Sequence, residues 1–215
     1  MSPSVVPPDW IERQLRRRGI HDERVLAAVE RVPRESFVPA GARKHAYADA
    51  ALALPHGQTI SQPYMVALIC QALELEGGER VLDIGTGSGY QAAVLAELAA
   101  EVVSIERIPE LAAQARRNLS AAGYELDLRE GDGSLGAPDR APYDAIAVAA
   151  ATPEVPEPLY EQLAAGGRLV LPIDESLVSV TKTPGGRRAR FLSAARFVPL
   201  VSGLPPQGEG MSGPS

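Results

Sequence analysis

The stretch VLDIGTGSGY, residues 81–90, joins a short apolar run to three glycines with the spacing G-x-G-x-G. A short apolar run bounded by glycine is typical of a buried strand, and the apolar residues that follow predict a helix over 90–99. Glycines at such a turn permit a sharp bend and let backbone N–H groups approach a ligand without interference from a Cβ atom. The stretch therefore predicts a strand–turn–helix unit with a ligand at the turn.

The residues after this unit continue the alternation of strand and helix. Their apolar runs lack polar alternation, which is typical of a parallel sheet covered on both faces. We therefore predict an α/β fold with an open, doubly wound sheet. Beyond the sheet, the turn TPGGRR (183–188) predicts a terminal β-hairpin within 176–202. The predicted strands are 102–106, 125–130, 145–150 and 168–173, and the predicted helices are 109–122 and 156–163.

The residues before the sheet have a helical pattern. A first helix carries Trp10 and Leu15 on one face and ends at Gly19, and Asp22 is placed to cap a second helix. Short helical turns and loop, without strands, are expected over 34–54. We predict one structural domain with mobile or disordered ends. Its parts are a tail at 1–8, a helical cap with the active-site segment at 9–79, a ligand-binding core with the hairpin at 80–203, and a tail at 204–215.

Composition excludes several classes of function. The 21 basic and 27 acidic residues give a net charge of −6, and no Lys/Arg run offsets it, so nucleic acid and anionic membranes are poor candidates as partners. Cys70 is the only cysteine, and no apolar stretch approaches about 18 residues, so we expect a soluble cytoplasmic protein. His21, His45 and His56 lack metal-ligand spacing, so no metal site is predicted.

Two further elements indicate the ligand. Glu106 ends the next strand, 21 residues after Gly85, where a carboxylate can accept hydrogen bonds from both ribose hydroxyls of an adenosine cofactor. Asp132, followed by Gly133, comes after the third strand and could accept from the adenine amine. The dinucleotide pattern G-x-G-x-x-G would need glycine where Tyr90 stands, so S-adenosylmethionine (SAM) is favoured over NAD. Simpler interpretations are a solvated strand end for Glu106 and an Asp-Gly turn at 132–133.

Six segments resemble the protein-L-isoaspartate O-methyltransferase family in the same order, and RFVPLV (196–201) resembles its closing strand. The resemblance implies a Rossmann-like SAM-dependent methyltransferase sheet with an N-terminal helical cap and a C-terminal β-hairpin. It also implies methyl transfer to the carboxylate of L-isoaspartyl, and by extension D-aspartyl, residues, which initiates protein repair through a succinimide. The segments are HGQTISQPYMVA (56–67), DIGTGSGYQAAVLAEL (83–98), SIERIPELA (104–112), GDGSLG (131–136), APYDAIAV (141–148) and GGRLVLPI (166–173).

The same resemblance assigns site residues. Ser61 matches the residue of the active site, and Asp83 matches an acid near the methionine moiety of SAM. The expected partners are isoaspartyl-containing proteins and peptides, the expected product of the cofactor is S-adenosylhomocysteine, and we expect a monomer. The cofactor residues are Asp83, Gly85, Thr86, Gly87, Ser88, Gly89, Glu106, Arg107, Asp132 and Gly133, and the substrate and cofactor segment contributes His56, Gln58, Thr59, Ile60 and Tyr64.

The chemistry needs little from side chains. A carboxylate with a pKa of roughly 4 is ionised at neutral pH without a general base, so the enzyme must align the reactants and exclude water. Ser61 either caps the helix predicted over 63–75 or donates a hydrogen bond to the acceptor; a nucleophilic role is not expected because no partner base is visible. For His56 a structural role, and for Tyr64 and Tyr90 core packing, are the simpler interpretations.

One departure from the family leaves alternatives open. LPIDESLVSV (171–180) lacks the glycine-rich loop, with its glutamine, that usually follows this strand. A shortened loop there would also suit an enzyme that esterifies an aspartate of one dedicated peptide. The alternatives of other classes are an NAD-dependent oxidoreductase and a non-catalytic SAM-binding protein.

Overall fold

The computed structural model describes residues 6–7 and 9–205, so most of the two expected tails lies outside the described residues. Short 3-10 turns connect the regular elements. The helices are α1 (Trp10–Gln14), α2 (Glu23–Arg31), α3 (Pro63–Leu73), α4 (Tyr90–Ala96), α5 (Pro109–Ala121) and α6 (Glu157–Glu161). The strands are β1 (Leu52–Ala53), β2 (Thr59–Ile60), β3 (Arg80–Ile84), β4 (Glu101–Glu106), β5 (Asp127–Glu130), β6 (Tyr143–Val148), β7 (Leu163–Ile173), β8 (Ser176–Thr183) and β9 (Gly186–Ala194).

Seven strands form one sheet in the order β5-β4-β3-β6-β7-β8-β9. The five strands β3 to β7 are parallel, and β8 and β9 are added as an antiparallel hairpin. The chain moves outward from β3 to β5 and then crosses back to β6 on the other side of β3. Open α/β sheets bind ligands at such a reversal, outside the carboxyl ends of the strands. The predicted doubly wound fold is confirmed.

The central strands are buried on both faces. In β3, Val81 packs into one apolar cluster with α2, α3 and α4, whereas Leu82 packs into the other cluster with α6. In β6, Ala145 and Ile146 divide in the same way. Because successive side chains of a strand point to opposite faces, a strand between two helical layers needs an unbroken apolar run. This is the pattern that the sequence carries.

The N-terminal region confirms most of the predicted helical cap. The Asp22 carboxylate accepts hydrogen bonds from the backbone N–H groups of Arg24 (2.9 Å) and Val25 (3.3 Å) and so caps α2. Two 3-10 turns follow, at Arg34–Phe37 and Ala40–His45. The prediction that 34–54 contains no strand is wrong, because β1 pairs with β2 in a two-residue antiparallel ladder. This ladder is too short to show an alternating pattern.

Several predicted bounds need correction. Strand β7 begins at Leu163 instead of 168, within the helix predicted over 156–163, and that helix ends at Glu161. Helix α4 ends at Ala96 instead of 99. The hairpin turn lies where expected, but its second strand ends at Ala194, and the chain then returns across the sheet edge, where Ala151 N–H donates to the Val198 carbonyl (2.7 Å). The turn after β7 contains only Asp174 and Glu175, because Ile173 pairs directly with Ser176. No helix in the described part of the chain is long and apolar enough to cross a membrane.

Candidate active site

A cleft opens at the carboxyl ends of β3, β4 and β6, between the segments 58–61 and 198–201. Its empty volume, counted together with the solvent space at its open mouth, is about 850 Å³. We call it the edge cleft. It is lined by Gln58, Thr59, Ile60, Ser61, Val66, Ile84, Gly85, Thr86, Gly87, Ser88, Tyr90, Gln91, Ile105, Glu106, Arg107, Ile108, Gly133, Ala149, Ala150, Val198, Pro199, Leu200 and Val201.

The glycine turn after β3 forms the floor of the edge cleft. Gly85, Gly87 and Gly89 have φ angles of 88°, 56° and 92°, a backbone region that residues other than glycine rarely adopt. Gly89 does not line the cleft; a Cβ atom there would lie 3.1 Å from Leu119 Cγ. Gly89 therefore permits α5 to pack closely, while Gly85 and Gly87 present their backbone to the ligand position.

Glu106 holds this turn from the end of β4. Its side chain is only 6% exposed, so the interpretation as a solvated strand end is wrong. Oε2 accepts a hydrogen bond from Gly87 N–H (2.8 Å) and Oε1 accepts one from Ile108 N–H (3.0 Å). A carboxylate has about four acceptor positions, so acceptor capacity remains for a diol. Glu106 can thus shape the turn and bind ribose hydroxyls at the same time.

Gly133 lines the edge cleft, and Asp132, directly before it in the chain, lies outside the lining. A Cβ atom on Gly133 would lie 2.6 Å from Ile84 Cγ2, so only glycine fits without displacement. Asp132 Oδ1 accepts from the N–H (2.9 Å) and the hydroxyl (2.7 Å) of Ser134, and Oδ2 accepts from Gly203 N–H (2.6 Å). Partial burial opposes ionisation, but these hydrogen bonds outweigh it and lower the pKa of Asp132. The carboxylate caps a turn and also remains an ionised acceptor.

Asp83 lies behind the edge cleft and is completely buried. Its carboxylate accepts hydrogen bonds from Gln91 Nε2 (2.8 Å) and Ser104 Oγ (2.7 Å), and Ser104 Oγ also contacts Thr86 Oγ1 (2.6 Å). Burial raises the pKa of Asp83 to about 6, although the two hydrogen bonds oppose the shift. Asp83 reaches the cleft through Gln91 and Thr86, both of which line it.

Ser61 lies on the opposite wall, directly after β2. The N-cap of α3 is Gln62, without a side-chain hydrogen bond, so the interpretation of Ser61 as the cap is wrong. The Ser61 carbonyl accepts a hydrogen bond from Arg34 Nη2 (2.7 Å). Within the described residues the Ser61 hydroxyl has no hydrogen-bond partner, so it is available to a ligand.

Some predicted residues lie elsewhere. His56 is exposed and outside the edge cleft, and Tyr64 lies under the guanidinium of Arg18, 3.7 Å from its ring centroid. Tyr90, for which core packing was the simpler interpretation, is 1% exposed and still lines the cleft. The glycine motif gives no indication of Gln91, which lines the cleft one residue beyond the stretch 81–90.

Other missed residues come from distant parts of the chain. Ala149 and Ala150 follow β6, so the rule that ligands bind at carboxyl ends could have found them. Residues 198–201 were noted only as a resemblance to a closing strand, and Arg34 carried no signal. The residues that the structure brings together can bind a nucleoside ligand and place a second reactant beside Ser61.

Comparisons with known proteins agree with this geometry. The family model described as protein-L-isoaspartate(D-aspartate) O-methyltransferase matches residues 9–204. The chain is 51% identical over 206 residues to a protein-L-isoaspartate O-methyltransferase of Methanoculleus marisnigri, covering 94% of each chain. It is 53% identical over 196 residues to one of Syntrophobacter fumaroxidans, covering 89% of this chain and 92% of the relative.

The fold is also that of solved relatives. A putative protein-L-isoaspartate O-methyltransferase from Plasmodium falciparum, solved with S-adenosyl-L-homocysteine, superposes with a TM-score of 0.79 at 28% identity. The alignment covers 90% of this chain and 97% of that one. These matches show, in agreement with the edge cleft and the Rossmann-like sheet, that the chain belongs to the protein-L-isoaspartate(D-aspartate) O-methyltransferase family.

Proposed function

We propose that this chain transfers the methyl group of SAM to the free carboxylate of L-isoaspartyl, and by extension D-aspartyl, residues in damaged proteins and peptides. The observation that carries the proposal is the edge cleft itself. Glu106 and the glycine turn lie on one side of it, and the free Ser61 hydroxyl lies on the other. Relatives of this name at 51% and 53% identity over nearly the whole chain support the same activity.

The residues of the edge cleft fit the cofactor. Glu106 has unused acceptor positions for the ribose hydroxyls, and Gly133 packs directly on Ile84, so that the two residues line the cleft with an apolar surface for a flat ring. Ionised Asp132 lies next to Gly133 and accepts from the adenine amine. Gln91, which donates to Asp83, and Thr86, which is linked to Asp83 through Ser104, contact the methionine portion. These roles deepen the assignments made from the sequence, with Gln91 added.

The mechanism follows from alignment. Bound SAM supplies an electrophilic methyl group on a sulfonium. The Ser61 hydroxyl donates a hydrogen bond that orients the acceptor carboxylate, and the walls formed by Ile60 and Leu200 exclude water from it. The carboxylate oxygen forms a bond to the methyl carbon while the carbon–sulfur bond breaks, and its electron pair remains on sulfur. No general base is needed because the acceptor is already ionised at neutral pH.

Repair then proceeds away from the enzyme. The backbone nitrogen that follows the isoaspartyl residue attacks the methyl ester, and methanol leaves with the nitrogen's proton. The resulting succinimide hydrolyses partly to normal aspartate. The enzyme's task is therefore recognition of a carboxylate on a kinked peptide, at the 58–61 segment.

The test is transfer of labelled methyl from SAM to an isoaspartyl hexapeptide, with release of methanol in mild base. A matched normal-aspartyl peptide is the control. Label on the isoaspartyl peptide alone supports the proposal, whereas base-stable label indicates nitrogen methylation and contradicts it. Preference for the aspartyl peptide would support the dedicated-peptide enzyme, which the two-residue turn at Asp174 and Glu175 favours.

We also propose that the enzyme works as a cytoplasmic monomer without nucleic-acid or membrane partners. The net charge of −6 supports the absence of polyanionic partners. Light scattering after size-exclusion chromatography measures the oligomeric state, and a stable dimer would contradict this proposal.

A further inference from the structure

Arg34 is an arginine with no exposed surface. It begins the 3-10 turn Arg34–Phe37, in the helical cap, and its side chain points into the protein. Nε donates to the Ala46 carbonyl (2.7 Å) and Nη2 donates to the Ser61 carbonyl (2.7 Å). The guanidinium carbon lies 4.7 Å from the centroid of the Tyr90 ring. One side chain thus connects the cap, the Ser61 wall and the start of α4.

Within the part of the chain that the structure describes, the charge of Arg34 has no counterion. Among the described residues no carboxylate forms an ion pair with it, and the neighbouring Glu35 accepts from the Tyr47 hydroxyl instead. Nη1 is buried without a hydrogen-bond partner. Burial lowers the pKa of Arg34, but a guanidinium in a protein remains protonated. A full positive charge is therefore buried behind the edge cleft.

A purely structural side chain does not account for this arrangement. The two carbonyls that Arg34 binds account for a hydrogen-bond donor, but a neutral donor could serve them without the cost of burying an unpaired charge. Two of the three groups that Arg34 contacts, Ser61 and Tyr90, line the edge cleft. The position of the charge therefore relates it to the ligand on the Ser61 side.

We propose that Arg34 is a positioning residue for the acceptor carboxylate, because it holds the Ser61 backbone in place and leaves a positive charge behind the wall that the acceptor approaches. The inference rests on the proposed methyl transfer. The position of Arg34 separates the two reactants, because it binds the Ser61 carbonyl on the acceptor side, whereas Glu106 on the cofactor side is held by Gly87 and Ile108. Loss of Arg34 should therefore weaken use of the peptide and leave cofactor binding nearly unchanged.

The experiment compares R34Q and R34K with the control R31Q. Arg31 lies in the same cap, pairs with Glu97 and is largely exposed, so R31Q removes an equal charge at a position that does not line the edge cleft. For each protein, calorimetry measures the dissociation constant of SAM, and initial rates give KM and kcat for the isoaspartyl hexapeptide. Thermal unfolding reports whether each variant is folded.

We expect R34Q to lower kcat/KM for the peptide by about tenfold or more, as expected for loss of a hydrogen bond to a charged group, with the SAM constant within about threefold. R34K should recover part of the loss, because lysine retains the charge and one donor for the Ser61 carbonyl. R31Q should match the wild type. An unchanged kcat/KM in R34Q, an equal loss of SAM affinity, or R34K no better than R34Q would each overturn the inference.

The activity of the wild type distinguishes failure of the proposed function from failure of the inference about Arg34. A wild-type protein that binds SAM but methylates neither peptide overturns the proposed function and this inference with it. An active wild type with indifferent Arg34 variants overturns only the inference. If R34Q does not fold, R34K decides, because its intermediate kcat/KM with normal SAM affinity is expected only of a positioning role.

Discussion

Substitution of Gly133 by alanine tests the packing beneath the ligand position. The added Cβ would lie 2.6 Å from Ile84 Cγ2, and 3.7 Å and 3.8 Å from two further Ile84 carbons. Cγ2 branches from Cβ and cannot rotate away without moving the whole side chain. Ile84 is 1% exposed and packs in the same apolar cluster as Leu82 and α6. The backbone at Gly133 has no positive φ, so the cost is steric alone.

The expected loss follows from this contact. Overpacking of a well-packed core typically costs about 1–3 kcal/mol. For a chain of this length each kcal/mol lowers the midpoint of thermal unfolding by about 2–4 °C. Both Gly133 and Ile84 line the edge cleft, so the same displacement should weaken SAM binding as well.

The assay combines thermal unfolding with SAM calorimetry on G133A, G131A and I84L/G133A. Gly131 lies in the same loop, but a Cβ there would meet Ile105 Cγ2 at 3.7 Å, an ordinary contact, so G131A should resemble the wild type. Leucine at position 84 lacks the β-branch. Adding G133A to I84L should therefore lower stability and SAM affinity much less than adding G133A to the wild type. G133A as stable as G131A, or no rescue by I84L, would refute the reasoning.

Three other substitutions address separate parts of the site. S61A should lower kcat for the isoaspartyl peptide by about tenfold or more with SAM affinity unchanged, because only the acceptor loses a donor; initial rates and calorimetry check this. E106Q should weaken SAM binding by about tenfold, because the amide cannot accept from Gly87 and Ile108 as the carboxylate does; calorimetry measures it. The folded-state pKa of Asp83, about 6, exceeds its ordinary value of 3.8, so its contribution to stability is full below pH 4 and is lost as pH rises through 6. The free energy of unfolding of D83N relative to that of the wild type, measured with urea, should therefore rise by up to about 3 kcal/mol between pH 4 and pH 7.

The part of the site that could be predicted from sequence is the part that one β–turn–α unit and its neighbours determine. Parallel strands end at one edge, so Ile84, Glu106 and Val148 had to lead into the same cleft once the strands were identified. The glycine spacing then indicated where the backbone approaches the ligand. These inferences needed only the period of the apolar runs and the topology of a doubly wound sheet.

The predictions that failed depended on tertiary contacts. Ser-Gln-Pro is compatible with a cap at Ser61, but the cap is Gln62, and the Ser61 carbonyl is bound to Arg34. His56 and Tyr64 belong to the resembling segment, yet the turn at 55–57 and the outer face of α3 direct them away from the cleft. Sequence proximity to a functional residue does not determine which face a side chain occupies.

The hydrogen bonds between site residues could not be predicted from the sequence either, and they change the roles of the individual residues. Gly203 donates its N–H to Asp132 Oδ2 (2.6 Å), and its carbonyl accepts from Arg107 Nε (3.1 Å). The segment 198–201, which lines the cleft mouth, is thus attached at its end to two residues that sequence reasoning assigned to the cofactor. Asp132 has one carboxylate for both tasks, so the position of the C-terminal segment and the adenine side of the site depend on each other. A residue assignment made from motifs treats such groups as independent, whereas a shared carboxylate makes their effects non-additive.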